Sequence, residues 1–182
     1  GWPLKKGTTS PPDWKPSMRL DTWRALEDLV LEGKITCIGV SNYSIRHMNE
    51  IIQNKETRIQ PQVLQVELHP KQSQFELREF CVKNKILLQA YASLGQSKGD
   101  LLEIETVQKI AQSKKKSPAQ ILLAWSVSRG IAVCPKSGKP ERRKENFDIL
   151  NIKLSDQELA LIDQEDVNSR LCWNGVREDS IE

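Results

Sequence analysis

Polar side chains recur in this sequence where apolar segments end, and their types suit the binding of a neutral amide. The set is Ser41, Asn42, Gln65, Glu67, Tyr91, Lys136 and Ser137. Hydroxyl and amide groups donate and accept hydrogen bonds at once, as a carboxamide ligand requires, and the ring of Tyr91 offers a flat face for stacking. Any one of these residues is also ordinary at the end of a strand, so the interpretation depends on their lying together.

A second set of residues, the basic set, surrounds the start of a helix predicted at 140–147. It comprises Lys136, Ser137, Gly138, Arg142, Glu145 and Asn146. The last three are spaced three and four residues apart and therefore share one helix face. Amides at a helix N-terminus favour an anion, and a guanidinium beside a lysine matches a phosphate monoester. A solvated basic helix end is the alternative, and it is what we expect for Arg143 and Lys144.

The elements that must position these groups alternate along the chain. Apolar segments typical of buried parallel strands lie at 35–40, 63–67, 87–91 and 131–134. Helical periodicity lies at 20–30, 44–53, 73–84, in two stretches between 101 and 130, and at 140–147. Ser117-Pro118 marks the start of the second of those two stretches, and a capping box within 154–159 predicts a last helix.

This alternation predicts an α/β fold with a parallel sheet and right-handed crossovers. An open doubly wound sheet and a stretch of a (β/α)8 TIM barrel both fit that description. No Gly-x-Gly-x-x-Gly sequence follows any of the strands. Its absence favours the barrel, in which active groups sit at the carboxyl ends of the strands. The predicted strands amount to about half of such a barrel.

Composition indicates one domain over residues 1–182, with 38% hydrophobic and 28% charged residues. Residues 1–19 are predicted to form a surface loop and residues 169–182 a C-terminal loop. The net charge of +3 is spread along the chain and does not favour nucleic acid as a partner. No apolar stretch approaches the roughly 18 residues that a membrane span needs. The four cysteines are far apart, so we expect a cytoplasmic protein without a metal site.

Four segments together resemble the aldo-keto reductases, in the same order and at similar separations. They are Gly-Val-Ser-Asn-Tyr at 39–43, Gln-Val-Glu-Leu-His-Pro at 65–70, Tyr-Ala-Ser-Leu-Gly at 91–95 and Pro-Lys-Ser at 135–137. The resemblance extends from Trp2 to about Trp173. It implies that the chain supplies the second half of the barrel, strands five to eight with their helices. Ala92 and Ser93 depart from the Ser-Pro that is common in the family.

The resemblance also implies an NADP(H) site. In the family, three residues hold the nicotinamide carboxamide, and they match Ser41, Asn42 and Gln65. The family residue that matches Tyr91 stacks on the nicotinamide ring, while Leu94 and Gln96 match positions along the pyrophosphate. The basic set resembles the family's site for the 2′-phosphate and adenine.

Family chemistry is carbonyl reduction, in which a tyrosine, tuned by a lysine and an aspartate and assisted by a histidine, protonates the oxygen. All four residues belong upstream of the matched region, and Gly1 stands where the family's His-Trp-Pro motif has histidine. We therefore assign no catalytic residue in this chain. Trp2 matches a tryptophan of the substrate pocket, and Cys172-Trp173 resembles the loop that lines it. We expect His69 to be structural and His47 to be exposed.

The resulting hypothesis is an NADPH-dependent reductase of small aldehydes or ketones, cytoplasmic and monomeric when whole. A catalytically inactive NADP-binding regulatory or structural protein of the same family is the alternative, and an α/β protein that binds no nucleotide is a third. Four strands alone leave two sheet edges and an inner face uncovered. We therefore expect this portion to need the missing half of the barrel or a second copy.

Overall fold

Strands and helices alternate along most of the chain. The computed structural model describes residue 15 and residues 17–97 and 99–172. The α-helices are α1 (Ser17–Leu31), α2 (Ile45–Ile52), α3 (Phe75–Lys83), α4 (Glu105–Lys114), α5 (Pro118–Ser128), α6 (Pro140–Phe147) and α7 (Asp156–Asp163). The strands are β1 (Gly39–Ser41), β2 (Val63–Glu67), β3 (Leu87–Tyr91) and β4 (Ala132–Val133). Among these described helices, none has the length and apolar character that crossing a bilayer demands.

The strands form one parallel sheet in the order β1-β2-β3-β4. Ser41 pairs with Gln65, Gln65 with Gln89, and Glu67 with Tyr91. All the carboxyl ends therefore lie at one edge of the sheet, as the alternation of elements predicts. The predicted bounds of β2, β3 and α6 are confirmed.

The outer strands are shorter than the sequence predicts. Residues 35–38 precede β1 without joining the ladder. At Ile38 the backbone N–H donates to the side-chain oxygen of Gln62 at 3.0 Å, and the Ile38 carbonyl accepts from the Gln62 backbone N–H at 3.1 Å. At the other end of the sheet, β4 has two residues, and the thiol of Cys134 donates to the carbonyl of Ala90 at 3.3 Å. The predicted loop 1–19 is also wrong at its end, because α1 begins at Ser17. Residues 1–14 and residue 16 of that loop lie outside the described residues.

Gly39 is required by the close approach of β1 to β2. A Cβ atom at this position would lie 2.3 Å from the carbonyl oxygen of Val63 and 2.8 Å from its Cβ. Both atoms belong to the paired strand and cannot move aside without breaking the ladder. The glycine that begins the 39–43 segment is therefore explained by packing between strands.

The two faces of the sheet differ in burial. Side chains on one face are buried against the helices, and they are Leu64, Val66, Leu88 and Ala90. On the opposite face, Gln65 and Gln89 are half-buried and Leu87 is 48% exposed. The strand residues that are predicted to bind a cofactor therefore belong to the face that the described helices do not cover.

Helix α1 is joined to the loop before β2 through a buried carboxylate. The side chain of Glu27 accepts hydrogen bonds from the backbone N–H groups of Arg58 at 2.7 Å and Ile59 at 2.8 Å, and from Nε of Arg58 at 3.1 Å. Trp23 donates its indole N–H to the Ile59 carbonyl at 3.0 Å. Burial alone would raise the pKa of Glu27, but these hydrogen bonds outweigh it and hold the pKa below its ordinary value.

Replacing Glu27 by alanine should lower the free energy of unfolding by about 3 kcal/mol, because two backbone N–H groups lose their acceptor. Since the folded-state pKa of Glu27 lies below its ordinary 4.5, its contribution is complete above pH 4.5 and is lost as the pH falls through the folded-state pKa. Chemical denaturation of both proteins across the acid range measures the loss and its pH dependence.

Glu32→Ala is the matched control, because Glu32 pairs with Lys34 at the surface with both side chains more than half exposed. An exposed pair of this kind contributes less than about 1 kcal/mol. Equal effects of the two substitutions would contradict the role given to the buried carboxylate.

Candidate functional site

Three side chains form a polar row across the carboxyl half of the sheet. Ser41, Gln65 and Gln89 occupy paired positions on β1, β2 and β3. The amide of Gln65 donates to the side-chain oxygen of Gln89, which fixes the orientation of the first amide. Sequence reasoning found Ser41 and Gln65 but missed Gln89, although the pairing of two five-residue strands places it beside Gln65.

Asn42 and Tyr91 are joined directly at the end of this row. The backbone N–H of Asn42 donates to the Gln65 carbonyl at 2.9 Å, and the residue has a φ of 59°. Asparagine tolerates this left-handed conformation better than most residues. The phenol of Tyr91 donates to Oδ1 of Asn42 at 3.0 Å. The structure thus brings together four of the predicted cofactor residues, Ser41, Asn42, Gln65 and Tyr91.

The loop after β3 turns sharply away from the sheet. Ala92 has a φ of 53°, and the backbone N–H of Gly95 donates to the Ala92 carbonyl at 2.8 Å. Leu94 is half-buried and packs on the core, whereas Gln96 is exposed with a φ of 49°. Of the two predicted pyrophosphate contacts, Gln96 is therefore the more accessible.

The basic set lies after β4, the strand next to the one that carries Tyr91. Helix α6 begins at Pro140, which has no N–H, and it has no side-chain cap, so the backbone N–H groups that follow the proline are available to an anion. Lys136, Gly138, Arg142 and Glu145 are exposed, while Ser137 and Asn146 are half-buried. Arg143 is exposed, as expected of a solvated residue, but its guanidinium also donates a hydrogen bond to the Ser137 carbonyl at 3.4 Å. That hydrogen bond ties the loop to α6.

Glu67 and His69 form a buried pair beneath this edge. Nε2 of His69 lies 3.1 Å from Oε1 of Glu67, and the His69 side chain is sealed from solvent. Burial lowers the pKa of His69, although the Glu67 carboxylate acts in the opposite direction. The imidazole is therefore neutral near pH 7 and donates its Nε2 proton to Glu67. This environment agrees with the structural role expected for His69.

The expectation that His47 is exposed is wrong, because the residue is only 4% exposed. The residue lies in the first turn of α2, where its backbone N–H donates to the Ser44 hydroxyl at 3.4 Å and its Nδ1 accepts from the Ser44 backbone at 3.5 Å. Its ring also meets Tyr43 edge-on, with centroids 5.6 Å apart. His47 therefore completes a capping box with Ser44, the N-cap of α2.

A cleft of about 760 Å³ opens beside Asn42 and Tyr91 and reaches Glu67. Its walls include the starts of α2 and α3 and residues from the segment after α7. In the part of the chain that the structure describes, no group of three His, Cys, Asp or Glu side chains is placed to hold a metal ion.

Comparison with known proteins places this geometry in a family. The sequence model of the Aldo/keto reductase family matches residues 8–166. The chain belongs to the aldo/keto reductase family. A crystal structure of an aldo-keto reductase enzyme from a Medee basin deep-sea metagenome library aligns with a TM-score of 0.82 and 37% identity, covering 86% of this chain and 57% of that chain.

Curated relatives include the glyoxal reductase of Bacillus subtilis, which is 42% identical over 154 residues, 85% of this chain and 54% of that protein. The NAD(P)H-dependent D-xylose reductase of Scheffersomyces stipitis is 41% identical over 163 residues, 83% of this chain and 51% of that protein. The chain thus spans about half the length of these relatives. Gly1, Trp2 and Trp173, on which predictions about the catalytic motif and substrate pocket rest, lie outside the described residues.

Replacing His69 by glutamine should flatten the pH dependence of stability below pH 6.5, the ordinary pKa of histidine. Because the folded-state pKa is lower than this value, the unfolded chain binds more protons in that window, and stability falls as the pH falls. Glutamine can still donate to Glu67 but does not titrate. Urea unfolding of the unaltered protein and the variant below pH 6.5 measures how the free energy of unfolding changes with pH. The same pH dependence in both proteins would contradict a neutral His69.

Proposed function

We propose that the protein is an NADP(H)-dependent oxidoreductase that reduces a small aldehyde or ketone, and that this chain carries the cofactor site. The observation that carries the proposal is the joined set of Ser41, Asn42, Gln65 and Tyr91 at the carboxyl edge of the sheet. The name of the D-xylose reductase, to which the chain is similar, adds support for a nicotinamide cofactor.

Each residue of the joined set has a role in this proposal. Ser41, Asn42 and Gln65 would hold the nicotinamide carboxamide with complementary donors and acceptors. Tyr91 would present its ring face, and its hydrogen bond to Asn42 would fix the tilt of that ring. When bound, the cofactor supplies the hydride. Holding one face of the nicotinamide against protein leaves the other face for the carbonyl substrate.

Tyr91 itself is not a suitable proton donor for the carbonyl oxygen. Burial, together with the negative charge of Glu67, raises the pKa of Tyr91 above its ordinary value. Its proton is also engaged in the hydrogen bond to Asn42. We therefore assign Tyr91 to stacking and place the acid elsewhere in the complete active site, as the family resemblance implies.

The basic set would bind the phosphate that distinguishes NADPH from NADH. Lys136, Arg142 and the open amides of α6 offer positive groups around one short loop. The pairing of β4 with β3 brings this loop to the same edge as Tyr91. Leu94 and Gln96, on the loop after β3, would lie between the two ends of the cofactor.

The proposed barrel needs more strands than the sheet of this chain contains. In the described residues, β1 and β4 each have a neighbour on one side, and the face that carries Gln65 is not covered. Closure into a (β/α)8 barrel would remove both edges. We propose that the rest of a longer chain, of which this chain would be strands five to eight, completes a monomeric barrel in the cytoplasm.

The direct test is NADPH binding and aldehyde reduction by the full-length protein. We expect saturable quenching of tryptophan fluorescence by NADPH, and oxidation of NADPH on addition of a simple aldehyde such as glyoxal. Binding without turnover of any of a panel of aldehydes and ketones would favour the catalytically inactive alternative. Absence of NADPH binding would exclude both.

Arg142→Ala should weaken NADPH binding by about tenfold to a hundredfold, because a charge-assisted hydrogen bond to a phosphate is lost. NADH affinity should stay unchanged, because NADH lacks that phosphate. Fluorescence titration with both nucleotides measures the difference. Lys83→Ala is the control, because it removes one positive charge at the last residue of α3, outside the basic set. It should alter neither affinity. An equal loss for both nucleotides would contradict the assignment of Arg142.

A further inference from the structure

The segment after α7 crosses the carboxyl ends of β2 and β3. This segment, residues 166–172, is named here the C-terminal strap, and it contains neither helix nor strand. Its backbone N–H groups at Val167 and Ser169 both donate to the Lys71 carbonyl, at 3.4 and 2.9 Å. The hydroxyl of Ser73 donates to the carboxylate of Asp166 at the start of the strap. The strap is therefore tied to the loop between β2 and α3.

Glu67 holds the other end of the strap. Its side chain is nearly sealed from solvent, at 3% exposure for the residue. Its carboxylate accepts from the backbone N–H of Leu171 and from that of Cys172 at 3.1 Å. His69 donates to the same carboxylate at 3.1 Å. A buried carboxylate needs several donors to offset its desolvation, and the strap supplies two of them.

The hydrogen bonds from Leu171 and Cys172 to Glu67 are called the latch. The end of the strap that they hold packs on the loop after β3. A Cβ atom built on Gly99 would lie 2.3 Å from Cδ2 of Leu171, and one built on Gly95 would lie 3.5 Å from Cδ1. The Leu171 side chain thus fills the space beside Gly99 and makes an ordinary van der Waals contact at Gly95, where Leu101 lies closer. Lys71 reinforces this contact, because its ammonium donates to the Gly99 carbonyl at 2.7 Å while its own carbonyl accepts from the strap.

We propose that Glu67 is a positioning residue for the bound nucleotide, acting through the strap. By holding the backbone of Leu171, the carboxylate presses that side chain onto the loop that carries Gln96, and so holds the loop over the cofactor. The inference rests on the proposed function for its nucleotide, but the coupling of the latch to the loop is a property of the protein alone. Glu67 would contact neither cofactor nor substrate.

Glu67→Gln tests the latch in the full-length protein, because the amide keeps the shape but turns an N–H donor toward a strap N–H. We expect hydrogen exchange to accelerate about tenfold at the amides of Leu171 and Cys172, and also at Gly95 and Gly99. Release of NADPH, followed by stopped-flow fluorescence, should accelerate by a similar factor. Glu79→Gln makes the same chemical change on the exposed surface of α3 and should alter none of these rates.

Leu171→Ala separates the latch from the contact that it supports. The strap amides should stay protected, because their hydrogen bonds to Glu67 do not involve this side chain, whereas exchange at Gly95 and Gly99 and the release of NADPH should accelerate. Unchanged exchange at both glycines in both variants would overturn the proposal. If the unaltered protein binds no NADPH, the proposed function fails, while exchange at the two glycines still decides whether the latch controls the loop.

Discussion

Parallel pairing of β1, β2 and β3 in one register is the constraint on which the site depends. Because the three strands run in the same direction, Ser41, Gln65 and Gln89 lie in one row, and Asn42 and Tyr91 meet just beyond it. The register requires a close approach at Gly39, where a methyl group would strike the neighbouring strand. Site geometry and sheet packing are therefore set by the same backbone contacts.

Two buried carboxylates stabilise backbone segments that lie outside the helices and strands. Glu27 accepts from the amides of residues 58 and 59 in the loop before β2, and Glu67 accepts from the amides of residues 171 and 172 in the strap. Each carboxylate belongs to an ordered element, and each set of amides belongs to an irregular segment. Hydrogen bonds from several donors offset the cost of burying the charge, so the irregular segment gains a fixed position.

Local patterns in the sequence predicted the parts of this fold that local interactions decide. The apolar alternation at 63–67 and 87–91 and the capping box at Ser155 correspond to β2, β3 and the start of α7. The apolar pattern at 35–38 predicts a strand that does not form, and at Ile38 the N–H donates to the side chain of Gln62 rather than to a strand backbone. The position of His47 predicts an exposed side chain, because sequence spacing alone does not reveal that its imidazole accepts a hydrogen bond from the backbone of Ser44.

The parts of the site that sequence patterns miss depend on contacts between distant residues. Gln89 acquires its role only when β3 pairs with β2, and Glu67 acquires its strap partners across more than 100 residues. That separation also orders events during synthesis. Residues 171 and 172 leave the ribosome after β2 and β3, so the strap can bind Glu67 only after these two strands have been synthesised. A nascent chain can therefore pair β2 with β3 well before the strap reaches Glu67.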